Sequence, residues 1–185
     1  GGGVAAPGVG VVAARSSSSR RATQPGVCTT SAGLAGVWGC TAGTGVNARF
    51  NSPVAIAVDG AGLLFVADAG NGAIRTVTPA GDTTTLALIP DPRGVALGPG
   101  GFIYAASSNG RVYKISAGGV VFPFASGFFQ LEGIAVDAAG TAYVTHNSHP
   151  DQIDPSALLS PFAAPPAPPA HPHAPLAPPP PSPPH

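Results

Sequence analysis

The sequence predicts an all-β protein built from repeated small sheets, and three observations carry that prediction. Segments beginning at Pro53 (PVAIAVDGAGLLFVAD), Pro92 (PRGVALGPGGFIYAAS) and Leu131 (LEGIAVDAAGTAYVTH) align with starts 39 residues apart. Later in each unit Val77, Ile115 and Ile153 align at a spacing of 38, as do Leu86-Ala87, Phe124-Ala125 and Phe162-Ala163, so one residue is lost in a variable turn. Within a unit, short apolar runs of strand length alternate with Gly- and Asn-rich turns. Four short strands every 39 residues are the pattern of a propeller blade. The expected fold is therefore a partial β-propeller of four-stranded blades, flanked by a disordered N-terminal arm and a polyproline C-terminal tail.

Residues 1–26 come first. They hold Arg15, Arg20 and Arg21 and no acidic residue, and Arg49 extends the acid-free run to Asp59. They are too poor in large apolar residues to bury a core and read as a flexible linker. The Arg/Ser bias leaves a plastid or mitochondrial transit segment as the alternative. GVCTTSAG from Gly26 resembles the last strand of an earlier blade, so the blades are expected to occupy 27–163. Cys28 and Cys40 flank a Gly-rich loop with Trp38; a disulfide and two free thiols are both compatible with that spacing.

The first full unit spans 53–91. Val54–Val58 and Leu63–Ala67 are nearly continuous apolar runs, as expected for inner strands covered on both faces. The turns Asp59-Gly60-Ala61-Gly62 and Gly70-Asn71-Gly72 follow them, using residues that tolerate φ > 0. Ala73–Val77 and the Thr-rich Thr83–Ala87 complete the blade, the latter at its rim. Units 92–130 and 131–163 repeat the scheme. In the last, four Pro or His residues between Asn147 and Pro161 fall in strand territory.

The run ARFNSPVAIAVDGAGLLFVADAGNGAIRTVTPAGDTTTLA (Ala48–Ala87) resembles an NHL-repeat β-propeller blade. The resemblance lies in Pro-x-x-Ile-Ala-Val-Asp, Val-Ala-Asp-x-x-Asn, Ile-Arg and the Gly turn; it weakens in the second unit and is confined to Glu132–Val144 in the third. It implies a six-bladed or similar closed ring acting as a binding platform. Three blades cannot close a ring, and the chain has no methionine. A fragment of a longer product is therefore expected, with a homo-oligomeric ring as the alternative.

Residues 164–185 are a Pro-rich tail: 13 of the 23 prolines lie between Pro161 and Pro184, and such sequence adopts extended polyproline II. PPPPSPP (Pro178–Pro184) resembles modules of hydroxyproline-rich wall glycoproteins of plants and green algae. That resemblance implies secretion or wall association, with a plastid as the alternative.

Candidate functional residues are few. Asp68 and Asn71 could contact a ligand in the loop layer, but both side chains are suited to holding the turn; Ser107 and Asn109 occupy similar places in the next unit. Asp59 and Asp137 read the same way. Glu132, the only glutamate, sits where other units have Val54 and Arg93. Glu132-Gly133-Ile134 resembles the start of metal-binding strands in gluconolactonase- and strictosidine-synthase-like propellers, but Val54 and Arg93 cannot ligate a hard cation. Arg93 and Glu132 are expected to pair across neighbouring blades. His146 with His149, and His171 with His173, lack further ligands at suitable spacing.

No catalytic, cofactor or metal residue is assigned. Eight basic against eight acidic residues argue against nucleic-acid binding, and no apolar run is long enough to span a membrane as a helix. The sequence therefore points to a non-catalytic interaction scaffold. Its expected partner is a protein or peptide on the propeller's loop face, with self-association through open blade edges. A metal-dependent gluconolactonase- or strictosidine-synthase-like enzyme using Glu132 is the alternative.

Overall fold

The computed structural model describes residues 10–14, 18–23, 27–146 and 150–153. These form four antiparallel sheets met in chain order. The first contains β1 (Gly10–Ala14), β2 (Ser18–Thr23) and β3 (Val27–Gly33). The second contains β5 (Pro53–Val58), β6 (Leu64–Asp68), β7 (Ala73–Val77) and β8 (Asp82–Leu88), with the two-residue β4 (Gly43–Thr44) added outside β8. The third contains β9 (Pro92–Leu97), β10 (Ile103–Ser107), β11 (Arg111–Ile115) and β12 (Val121–Ser126). The last contains β13 (Gly133–Val136), β14 (Ala142–Thr145) and β15 (Pro150–Ile153).

Apart from β4, which joins the β8 edge of its sheet, the strands of each sheet run as an up-and-down meander, and the inner strands sit side by side: β1 against β5, β5 against β9, β9 against β13. This is the radial arrangement of propeller blades around a shared axis. A close approach at that axis explains one glycine. A Cβ on Gly94 in β9 would lie 2.9 Å from the Ile134 amide nitrogen and 3.1 Å from Gly133 Cα, so the bare backbone is what lets β9 and β13 meet.

The core is three apolar layers, one between each pair of adjacent blades. Strand alternation builds them. In β6, Leu64 and Val66 join Ala32, Phe50 and Val77 on the side of the first blade. Phe65 and Ala67 turn the other way, to Val95, Ile103, Ala105 and Ile115 of the third. In β10, Ile103 and Ala105 face back while Tyr104 and Ala106 face forward to Leu131, Ala142 and Val144. Tyr104 meets Phe124 edge to face at 4.9 Å, a favoured aromatic geometry.

Every residue of β6 and β10 is buried, whereas β5 is only partly covered because it lines the axis. The Thr-rich β8 is largely exposed, as expected for a rim strand.

Two expectations change. β1 and β2 fall within 1–26, so the earlier blade contributes three strands rather than one spare strand after an unstructured arm. The Ser-Ser-Arg-Arg start of β2 had no apolar run to signal it. In the third unit, β15 forms despite its proline, since Pro150 is its first residue and needs no interior ladder donor. The Pro-rich tail, His149, His171 and His173 lie outside the described residues, as does the side chain of Cys28. Among the described residues no helix is long and apolar enough to cross a membrane.

Candidate functional site

The starts of β5, β9 and β13 and the ends of β6, β10 and β14 lie at one end of the blades, set there by the pairs Pro53–Asp68, Pro92–Ser107 and Gly133–Thr145. This end, the loop face, gathers most of the residues singled out by sequence.

Asp68 is fully buried there. Its Oδ1 accepts the Asn51 amide at 2.7 Å, and its Oδ2 accepts Asn71 Nδ2 at 2.7 Å and Arg75 at 3.3 Å. Arg75, equally buried, also donates to the carbonyls of Arg49, Thr41 and Thr84 and lies 5.5 Å from the Phe50 ring centroid. Asn71 donates to Gly39 O at 2.7 Å. The group therefore ties the 39–51 segment onto the blade and leaves little capacity for a ligand. Burial pushes the Asp68 carboxyl above the usual carboxylate range, against the pull of the Asn51 amide, Asn71 and Arg75.

Asp59 and Asp137 sit at the opposite end in equivalent turns. Each accepts two backbone amides through Oδ1: Ala61 and Leu63 at 2.9 and 2.8 Å, Ala139 and Thr141 at 2.9 and 2.8 Å. The Thr141 amide above all holds Asp137 below the usual range.

Sequence reasoning missed a repeated strain. Ser52, Asp91 and Gln130, 39 residues apart, are the three non-glycine residues with positive φ among those described (50°, 37° and 49°). Each kinks the chain just before an inner strand. No residue type marks the position, which is why composition gave no signal. At Asp91 the kink is supported: Ser108 Oγ donates to Oδ2 at 2.5 Å and Arg93 at 3.0 Å. The Ser108 hydroxyl, with Arg93 adding to it, holds Asp91 below the usual range.

The expected Arg93–Glu132 pair does not form. Arg93 turns to Asp91, two residues away, and Glu132 stands exposed while its backbone amide donates to Thr145 O. Among the described residues no three His, Cys, Asp or Glu side chains are grouped to hold a metal ion. Glu132 beside Val54 and Arg93 does not fit a divalent cation. His146, at the repeat position of Asp68 and Ser107, lies with its ring 6.3 Å from Phe128. Ser107 Oγ bonds the Pro90 carbonyl. Cys40 is a free, exposed thiol.

The loop face also carries exposed apolar side chains. Trp38, Leu88 and Phe129 are 75, 74 and 70% exposed, the highest values among the described large apolar residues. Trp38 neighbours Gly39, which Asn71 anchors; Leu88 ends β8 opposite Ala73, the first residue after the β6–β7 turn. Phe129 follows Phe128, whose amide bonds Gly110 in the β10–β11 turn. A Cβ on Gly110 would collide with the Phe128 carbonyl.

No protein-family profile and no curated protein matches the chain. Solved structures do. A streptogramin B lyase superposes with a TM-score of 0.55 at 14% identity, covering 74% of this chain and 47% of that one. A catalytically inactive virginiamycin B lyase from Staphylococcus aureus, solved with quinupristin, gives 0.53 at 16%, covering 70% and 42%. A protein assigned as a gluconolactonase gives 0.57 at 16%, covering 75% and 53%. The chain thus spans about half the length of the solved propellers it matches, and at these identities the likeness establishes the fold. It also overturns one expectation: propellers of this fold include enzymes, so a non-catalytic nature cannot be read from the architecture.

Proposed function

We propose that the chain is the NHL-type portion of a propeller and that its loop face docks a protein or peptide. The observation that carries this reading is the placement of Trp38, Leu88 and Phe129, the three most exposed large apolar residues among those described, at one end of the blades. Exposed aromatic side chains on rigid turns are the usual anchors of protein recognition. The carboxylates nearby are occupied within the blade: Asp68 holds the Asn51 amide, Asn71 and Arg75, and Asp91 holds the Ser108 hydroxyl and Arg93. The NHL assignment rests on Pro53-x-x-Ile-Ala-Val-Asp59 and Val66-Ala-Asp68-x-x-Asn71, whose Asp68 and Asn71 tie the turn together.

The test is a peptide-display selection on the purified chain, followed by titration of the selected peptides. Substituting Trp38→Ser with Phe129→Ser should weaken binding about tenfold or more. Val121→Ser, at the other end of the blades, should leave it unchanged. Peptides that bind the double variant as tightly as the parent would sink the reading.

A further inference from the structure

The second strand of each complete blade is buried on both sides because a blade stands on either side of it. β14 departs from this. Ala142 and Val144 face back into the core shared with the third blade, whereas Tyr143 and Thr145 point forward and are exposed. Phe65, Tyr104 and Tyr143 occupy one repeat position, 39 residues apart, and are 6, 1 and 42% exposed. Ala67, Ala106 and Thr145 form a second such series, buried, buried and exposed. Ala135, paired with Tyr143, is exposed as well. The forward face of the last blade therefore carries the side-chain pattern that, twice earlier in the same chain, is covered by the next blade.

The pattern specifies its cover: the leading face of another blade of this repeat. We propose that a second copy of this chain covers it. The β1–β3 sheet, at the opposite end of the row, would stand against the β13–β14 face of the partner, and the reverse junction would form at the same time. Two identical junctions around one two-fold axis give a closed assembly. The described residues of each chain form four sheets, so two chains give about eight blades, within the usual range for closed propellers. The size agrees, because this chain covers 47, 42 and 53% of the solved propeller chains it matches.

The experiment is sedimentation equilibrium of the full 185-residue chain under reducing conditions, so that Cys40 forms no cross-link. The parent chain and Tyr143→Phe should sediment as dimers. Tyr143→Arg should weaken dimerisation about tenfold or more, with an unchanged far-ultraviolet circular dichroism spectrum. Thr145→Arg on the same face serves as a second variant should the first fail to fold. A parent chain that is monomeric throughout the micromolar range overturns the proposal. So does a dimer indifferent to the arginine substitutions, or an open polymer in place of a closed pair.

Discussion

The buried Arg75–Asp68 pair shows how one polar contact can serve structure alone. Taking two charges out of water is costly, and the cost is offset here by the additional carbonyls around Arg75 and the amides around Asp68. Removing one partner leaves the other buried and unpaired, so Arg75→Met should destabilise by about 3–5 kcal/mol in urea unfolding. Adding Asp68→Asn to that variant should recover part of the loss. The exposed Arg93–Asp91 pair should matter far less, about 0–1 kcal/mol. The carboxylates also set the acid response. Asp91 and Asp137 have folded values lowered from 3.8. Their contribution is complete above that value and lost as pH falls through the lower folded one. Asp68, raised from 3.8, acts in the opposite sense: its contribution is present below 3.8 and declines as pH rises towards the folded value. Denaturant titrations between about pH 6 and pH 3 should show Asp91→Asn and Asp137→Asn flattening the acid-side loss and Asp68→Asn steepening it.

At the scale of the strand and its approach, the recurring kink at Ser52, Asp91 and Gln130 is the main feature. An L-residue in the left-handed region costs about 1–2 kcal/mol, and glycine there returns roughly 0.5–1 kcal/mol of that as chain entropy. Ser52→Gly should therefore stabilise by about 0.5–1 kcal/mol, measured by thermal or urea unfolding. Asp91→Gly should not, because it also removes the partner of Ser108 and Arg93. Strands were legible in the sequence where period and turn chemistry agreed, as in Leu64–Asp68 with its following Gly70-Asn71-Gly72. They were illegible in β2, whose Ser-Ser-Arg-Arg run depends on tertiary pairing. The kink was illegible because serine, aspartate and glutamine share no side-chain property that demands positive φ.

For the whole molecule, position in the row decides what a side chain is worth. Tyr104 and Tyr143 are the same residue at the same repeat position, one between blades and one on the outer face of the last. Tyr104→Ala should cost about 3–5 kcal/mol, while Tyr143→Ala in the separated chain should cost about 1 kcal/mol or less. Comparing urea midpoints at protein concentrations low enough to favour monomer would show it. The repeat spacing made the blades legible, but it said nothing of Arg93 choosing Asp91 over Glu132. That choice follows from two residues sharing one kinked turn, a proximity that the alignment of successive units obscures. Nor did sequence distinguish a catalytic propeller from a binding one, because the fold hosts both.

Trp38 has a spectroscopic consequence. It is the only indole in the chain, and it stands in solvent beside the Gly39 tether rather than in any of the three apolar layers. Its ultraviolet emission should therefore change little when the blades unfold, and an unfolding curve followed that way would understate the transition. Near-ultraviolet dichroism, dominated by packed rings such as Tyr104 and Phe124, should report the core instead. The same indole should shift its emission to shorter wavelength when a partner covers the loop face, so this chain carries an intrinsic optical reporter for docking that is almost blind to folding.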